Sequence, residues 1–391
     1  MKKTLLVVSG ILLAMAWGCT PEKLPGTDAS KDEDLAGETI SVGENLPWRK
    51  LFVLNEGGWQ KNNSSLDFLS ASRKAYVRNA YSQMNGNAPL GDTGNDIAVH
   101  GDQVWIIMNG SSLITILHAS DESLLGEIAI PSPRNLAFDG DFAYVTSYAG
   151  AIYGADPVKG KVFKINTSTR AVEGSVEVGY QPEGITVTGG KIYVANGGGY
   201  QQTGSYDNTV SVIDPASFSV TGTITSEDNL KCLAAAPDGT LWATTLGGGG
   251  YDENWNYQQT VPCSLVRINP SAQTSQAVQD SHVGGFVIRG DGSLIYYGNP
   301  EELYGGWAPT LTVYTPSNGR TVSKPLSLIE GLSSFSTPYG IALDPSEKYL
   351  FLADAGDYSN PGRVWCLDAS TFELRWSVAA GITPGHFAFW E

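Results

Sequence analysis

Eleven tyrosines and tryptophans stand in loop-like stretches rather than in β-prone ones: Trp59, Tyr148, Tyr153, Tyr200, Tyr206, Tyr251, Trp255, Tyr257, Tyr304, Trp307 and Tyr358. They share those stretches with glycine runs, Gly197-Gly198-Gly199 and Gly247-Gly248-Gly249-Gly250. Glycine lets backbone approach a ligand closely, and Tyr or Trp offers a broad rigid face with one polar tip at small entropic cost. The chemistry this combination suits is non-covalent capture of a bulky, partly polar molecule. A competing reading is that each ring packs into its own loop, as in compact loops that bind nothing.

Covalent chemistry has no comparable signal. The chain contains no nucleophile elbow, no paired zinc-type histidine motif and no phosphate loop, and its Gly-rich run follows a strand without opening a helix. The expectation is a binding protein and not an enzyme, with no cofactor and no metal.

Something must hold those loops, and the chain repeats one phrase seven times: a Gly- or Asn-led apolar strand, a turn, an aromatic strand, a loop and a third strand ending near Asp or Asn. The anchors Ile97, Leu136, Ile185, Leu233, Phe286, Ile341 and Phe387 lie 39, 49, 48, 53, 55 and 46 residues apart. That is the period of propeller blades. The clearest copy runs Pro182 to Val187, turns at Gly189-Gly190, continues Ile192 to Ala195 and Thr209 to Ile213, and closes with Ser219 to Ile224. Short Val-, Ile-, Tyr- and Thr-rich strands bounded by Gly, Asn, Asp and Pro read as antiparallel meander. The predicted fold is all-β: a seven-bladed β-propeller of four-stranded antiparallel blades.

One blade is split. Leu51 to Leu54 and Leu66 to Leu69 lack an inner strand, while Gly385 to Trp390 lacks outer ones, so the two termini are expected to share a blade and close the ring. In such a meander the second-to-third loops and the linkers between blades emerge on one face. Those loops, residues 55–65, 147–161, 196–208, 245–263, 298–310 and 354–363, are the long ones and hold the aromatics. Loop position selects Trp59, Tyr148, Tyr200, Tyr206, Trp255, Tyr257, Trp307 and Tyr358 as ligand contacts. The first residues of the inner strands, Asp96, Arg134 or Asn135, Glu183, Lys231, His282, Tyr339 and His386, should line the mouth of the central channel. Arg134, Glu183 and Tyr339 are the expected hydrogen-bonding partners there, with Glu183 and Asp96 facing Arg134 and Lys231. For the charged residues a salt-bridged channel wall is the plainer alternative, and His386 reads as hydrogen-bonded more readily than as a metal ligand.

Ahead of the repeats, Met1-Lys2-Lys3 and the apolar Thr4 to Ala16 form a signal peptide, too short to span a membrane. It ends Ala16-Trp17-Gly18-Cys19, a small residue directly before a Cys, similar to a bacterial lipobox with Cys19 as the acylated first residue of the mature chain. The expected organisation is a signal at 1–18, a lipidated tether at 19–47 and one propeller domain at 48–391. The charge of −16 becomes −18 once Lys2 and Lys3 are removed, which disfavours nucleic acid and anionic headgroups alike. Contact with the membrane is expected through the lipid alone. Cys232, Cys263 and Cys366 remain, and the first two are read either as a bridge within one blade or as small apolar side chains.

The phrases Tyr193-Val194-Ala195-Asn196 and Tyr144-Val145-Thr146-Ser147 resemble the YVTN family of seven-bladed propellers over nearly all of residues 48 to 391. Leu54-Asn55-Glu56-Gly57-Gly58-Trp59 with Asn62-Asn63-Ser64-Ser65-Leu66 is similar to the surface propeller lipoproteins of gut anaerobes, among them the cobalamin-capturing BtuG kind. That resemblance implies vitamin B12 or a related corrinoid as ligand and a TonB-dependent outer-membrane corrinoid transporter as partner. It also implies a lipid-anchored place in the outer membrane facing the cell exterior. Glycan capture, and a metal-dependent lactonase or lyase, are the alternatives carried beside it.

Overall fold

Strands sandwiched between neighbours must be apolar on both sides, and the second strand of each repeat is. Lys191–Asn196 and Gln103–Met108 are buried along all but their first residue, whereas the outermost Ser219–Thr225 is almost wholly exposed. The computed structural model describes residues 37–43, 46–150, 157–199, 206–251, 257–261, 263–278, 283–298 and 309–391. Within them the chain forms the expected seven-bladed propeller. Six blades are consecutive four-stranded antiparallel sheets: blade 1 (Gly94–His100 to Leu124–Ala129), blade 2 (Pro133–Asp139 to Val172–Glu177), blade 3 (Pro182–Thr188 to Ser219–Thr225), blade 4 (Leu230–Ala235 to Thr274–Val278), blade 5 (Gly285–Ile288 to Arg320–Pro325) and blade 6 (Pro338–Leu343 to Leu374–Ile382).

Blade 7 is the split one. Its inner strand is the C-terminal Pro384–Trp390, paired with Lys50–Asn55 in a register that sets Lys50 against Trp390 and Val53 against Phe387. Ser65–Ser70 and Ala75–Val77 follow outward, and Glu38–Thr39 adds a fifth strand at the rim. Blade 7 thus draws in residues ahead of position 48: Ile40 is buried against Trp48 and Leu51. Two apolar residues, Ile40 and Val42, are too short a signal to stand out from polar neighbours. A single helical turn, Ala80–Met84, leads from blade 7 to blade 1.

Seven clusters of buried side chains form the core, one at each junction of adjacent blades. Between blades 1 and 2, for example, Trp105, Ile107, Ile114 and Ile116 meet Leu136, Ala143 and Val145. Phe52, Leu54 and Phe68 of blade 7 meet Ile97, Val104 and Ile106 of blade 1. Each such side chain contributes about 1.5–3 kcal/mol on burial. Polar ties add specificity at the closure. Lys50 donates to Glu122 of blade 1 at 2.7 Å, and the buried Asp67 accepts from Tyr76 at 3.0 Å, Asn79 N at 2.8 Å and Gly381 N of blade 6 at 3.2 Å. Burial pushes the Asp67 carboxyl above its ordinary range despite those donors.

Candidate functional site

The inner strands do not start regularly. In six of the seven blades the register between first and second strand slips near the inner strand's first residues. The residues set out of register are Asn95, Arg134 and Asn135, Glu183 and Gly184, Lys231 and Cys232, Tyr339, and Gly385. A bulge bends a strand and re-aims its side chains, so the residues that would otherwise lie in the ladder turn toward the channel mouth. Among the described residues blade 5 pairs without a shift. The backbone just ahead is also unusual: Thr93, Ser132, Gln181, Asn229 and Thr383, each directly before an inner strand, have φ of 54°, 41°, 45°, 59° and 53°. Left-handed backbone at a β-branched Thr is costly and persists only where its surroundings fix it.

The aromatic second-strand phrase supplies part of that fixing. Thr146 Oγ1 accepts from Asn135 N at 2.9 Å, and Thr244 Oγ1 from Cys232 N at 3.2 Å, so the hydroxyl satisfies an N–H that the bulge removes from the ladder. The residue after it holds the incoming linker: Asn196 Oδ1 accepts from Gly179 N at 3.1 Å, and its Nδ2 donates to Thr209 at 3.0 Å and Ser211 at 2.9 Å. Close approach of inner strands explains the glycine in Pro-Glu-Gly-Ile and Pro-Tyr-Gly-Ile. A Cβ on Gly184 would lie 2.5 Å from Leu233 N, and one on Gly340 would lie 2.2 Å from Gly385 O.

These starts enclose an open cavity of about 800 Å³ at the mouth of the channel, lined from all seven blades. On its blade 2–4 side Glu183 receives a two-pronged Arg134, with Nε at 3.1 Å and Nη2 at 3.0 Å from Oε2, and Lys231 Nζ at 3.1 Å. The Tyr148 hydroxyl donates to the other oxygen, and the Arg134 guanidinium lies 4.8 Å over the Tyr148 ring. Burial alone would raise the Glu183 carboxyl, but the charges of Arg134 and Lys231 and the Tyr148 hydroxyl outweigh it and hold the group below its ordinary value.

Across the mouth, Glu56 Oε2 accepts from the Tyr339 hydroxyl at 2.9 Å, and Glu56 Oε1 lies 2.9 Å from His386 Nε2. Burial, then the Glu56 charge, push the Tyr339 hydroxyl far up, so it remains a donor at neutral pH. Asp96 accepts from Ile97 N and Leu136 N, each at 2.9 Å. Burial raises its carboxyl more than His386 and those donors lower it.

The expected site residues divide accordingly. Trp59, 63% exposed, lines the mouth, and Tyr358, 50% exposed, sets its ring edge-on to Tyr339 at 5.6 Å. Arg134 and Tyr339 line the mouth, and Glu183 lies buried behind Arg134 and Lys231. Tyr148 does not stand on the rim: it is buried beneath it as a partner of Glu183. Tyr206 packs against Gly248 instead of facing the cavity, since a Cβ there would lie 2.4 Å from its hydroxyl. Tyr257 sits on a hairpin, Gly248–Tyr251 with Tyr257–Val261, that forms within the supposed loop 245–263. Tyr200, Trp255, Trp307 and His282 lie outside the described residues, as does Cys19. The pairing of Asp96 with Arg134 or Lys231 is corrected, since the Asp96 carboxyl is taken by backbone N–H groups. The bridged reading of Cys232 and Cys263 is set aside as well. Cys232 is a free thiol raised by burial, and Cys263 donates to Leu246 O at 3.1 Å.

Residues that loop position did not single out include Glu56, Asn95 and Asn109, which all line the mouth. The signal was available in Glu56, the first residue after a second strand, where a side chain faces the linker. Among the described residues no three His, Cys, Asp or Glu side chains gather as a metal site. Asp354 and Asp357 spend their carboxylates on loop N–H groups, Thr337 N and Asn360 N each at 2.8 Å.

The fold and this mouth define a seven-bladed propeller with one open, chemically mixed cavity at the loop-bearing end of its channel. More particularly, the chain belongs to the DUF5074 family, a domain of unknown function, whose model matches residues 50–360. No curated protein matches it. Among solved structures it is similar to Kuenenia stuttgartiensis hydrazine synthase, with 21% identity, 75% of this chain and 88% of that one covered and a TM-score of 0.58. It is also similar to a protein from Lactobacillus plantarum, with 13% identity, 88% and 100% covered and a TM-score of 0.55. Apo AztD from Citrobacter koseri matches with 11% identity, 87% and 97% covered and a TM-score of 0.53. At these identities the likeness is one of fold.

Proposed function

We propose that this protein is a cell-surface lipoprotein that captures cobalamin or a related corrinoid at the channel mouth and passes it to a TonB-dependent outer-membrane transporter. The observation that carries the reading is the mouth itself: about 800 Å³, open on one side, lined by paired acids, bases and amides, with Trp59 on its border and Tyr358 set edge-on to Tyr339. Ligand sites of this size hold orientation with a few placed polar groups on an otherwise apolar wall. A corrin is a broad disc fringed with amides and carrying a nucleotide tail. It is too wide to enter the channel, yet it can lie across the opening with its tail inside.

Calorimetry with cyanocobalamin, beside a panel of oligosaccharides, tests the reading. Binding of the sugars without the corrinoid would replace it with glycan capture. The Trp59→Ala/Tyr358→Ala double variant should bind cyanocobalamin roughly thirtyfold more weakly, because truncating two half-exposed aromatic contacts at about 1 kcal/mol each costs about 2 kcal/mol in all. Both rings are half or more exposed, so the melting temperature should hold. Unchanged affinity would take the contact surface elsewhere.

The anchoring half of the proposal rests on Gly18-Cys19 behind the apolar run. Cells fed labelled palmitate should label the wild-type chain, and Cys19→Ala should carry no label. Equal labelling of both would remove Cys19 as the anchor.

A further inference from the structure

The mouth is electrically two-sided. On blades 2 to 4 two cations, Arg134 and Lys231, share one carboxylate, Glu183, so this cluster of three side chains carries one net positive charge on a chain of net charge −16. Arg134 and Glu183 are buried, at 8% and 6% exposure, and hold each other in place. Lys231 is different: its side chain is 31% exposed, lines the cavity, and donates at 3.1 Å to an oxygen that Arg134 already engages. An ammonium has three donors, so the lysine has hydrogen-bonding capacity directed at whatever fills the cavity. On the far wall, blades 6 and 7 contribute the Glu56 carboxylate, with Tyr339 and His386 against it, whereas Asp96 is held by backbone N–H groups of blades 1 and 2.

We infer that the mouth orients a ligand that carries both an anion and neutral amides, with an anionic phosphodiester set on Lys231 and amide N–H groups set on Glu56. The inference rests on the corrinoid reading and adds to it a direction of docking and a basis for selectivity. Cobalamin carries both features: its nucleotide loop contains one phosphodiester, and the opposite edges of the corrin bear primary amides. Cobinamide keeps the corrin and its amides but lacks the phosphodiester and the base. A charge-assisted hydrogen bond that is lost with the phosphodiester separates the two ligands, whereas uniform contact with the corrin does not.

The test is titration calorimetry with cyanocobalamin and dicyanocobinamide on the wild-type chain, on Lys231→Met and on Lys231→Arg. The wild type should prefer cobalamin at least tenfold, Lys231→Met should reduce that ratio to within about threefold, and Lys231→Arg should keep most of it. Glu183 retains Arg134 and Tyr148 in both variants, and an unchanged melting temperature checks that the wall is intact. Cobalamin binding with no preference over cobinamide, or a preference that survives Lys231→Met, would overturn the inference and leave the corrinoid reading in place. Failure of the wild type to bind either corrinoid would overturn both.

Discussion

Deletion of residues 386–391 should abolish cooperative thermal unfolding. The strand removed is the inner strand of blade 7, and it carries Phe387 and Phe389, which pack on Phe351 at 6.3 and 5.9 Å, and Trp390, over which Arg49 lies at 4.8 Å. Losing a packed aromatic costs about 3–5 kcal/mol, so three together approach or exceed the 5–15 kcal/mol that holds a typical domain. The deletion also exposes Lys50–Asn55 as an unpaired, fully buried-type edge, a template for association with other chains. Calorimetry and size-exclusion chromatography should report a broad, non-cooperative transition and higher-order species. A sharp melt near the wild-type temperature would mean that the ring is closed by other contacts.

The second large effect is expected at Glu183. Glu183→Gln removes the one carboxylate that Arg134 and Lys231 share, leaving a buried guanidinium beside an ammonium with no countercharge. Breaking one partner out of a buried pair costs about 3–5 kcal/mol, and urea unfolding at pH 7 should show a loss of that order. The sign of the pH dependence follows from the carboxyl lying below its ordinary value of 4.5. Its contribution is complete above the unfolded-state value and is lost as pH falls through the folded-state one, because the folded chain then gives up a favourable charge. The gap between wild type and variant should therefore be widest at neutral pH and narrow on acidification below about 4.5. A gap that stays constant would show that the Arg134 pairing contributes nothing through charge. Arg134→Met combined with Glu183→Leu should recover part of the lost stability, since an apolar replacement of both partners leaves no buried charge orphaned on that side.

Most of the architecture was legible because it repeats. A strand that packs between neighbours needs apolar residues on both faces, and Gly-, Asn- or Pro-led phrases recur with that demand, which is why Ile97 through Phe387 mark inner strands so regularly. Closure was legible because two incomplete blades, Leu51 to Leu69 and Gly385 to Trp390, sum to a whole one. What did not repeat was invisible: Glu38–Thr39 is two residues long, and the hairpin of Gly248–Tyr251 with Tyr257–Val261 is built from glycines and polar residues.

The site was half legible. Asp96, Arg134, Lys231, Tyr339 and His386, all near inner-strand starts, line the mouth, but loop position alone cannot say which ring faces a ligand. Tyr148 turns inward because a buried carboxylate 35 residues away needs its hydroxyl, a tertiary fact with no local signature. Nor do Arg134 and Glu183, 49 residues apart, announce that one bulge points each toward the other. The left-handed residues before the strands, Thr93 and Thr383 among them, run against local preference, and propensity reasoning passes over them.

Because the slips in register lie at the opening of the inner strand in six of the seven blades, the ladders beyond them, such as Ile185 with Val194 or Ile341 with Leu352, are untouched by what occupies the slipped positions. The propeller thus offers interchangeable sockets around one aperture. Position 231 is partly open to the cavity and can be rewritten by itself, whereas 134 and 183 are buried and tied to each other by charge and must be exchanged together, and a Cβ at 385 would lie 2.9 Å from the Tyr339 ring, which couples those two positions. A library built at 231 should stay folded and vary in what it holds, and one built on Arg134 or Glu183 alone should mostly fail before selectivity is ever sampled.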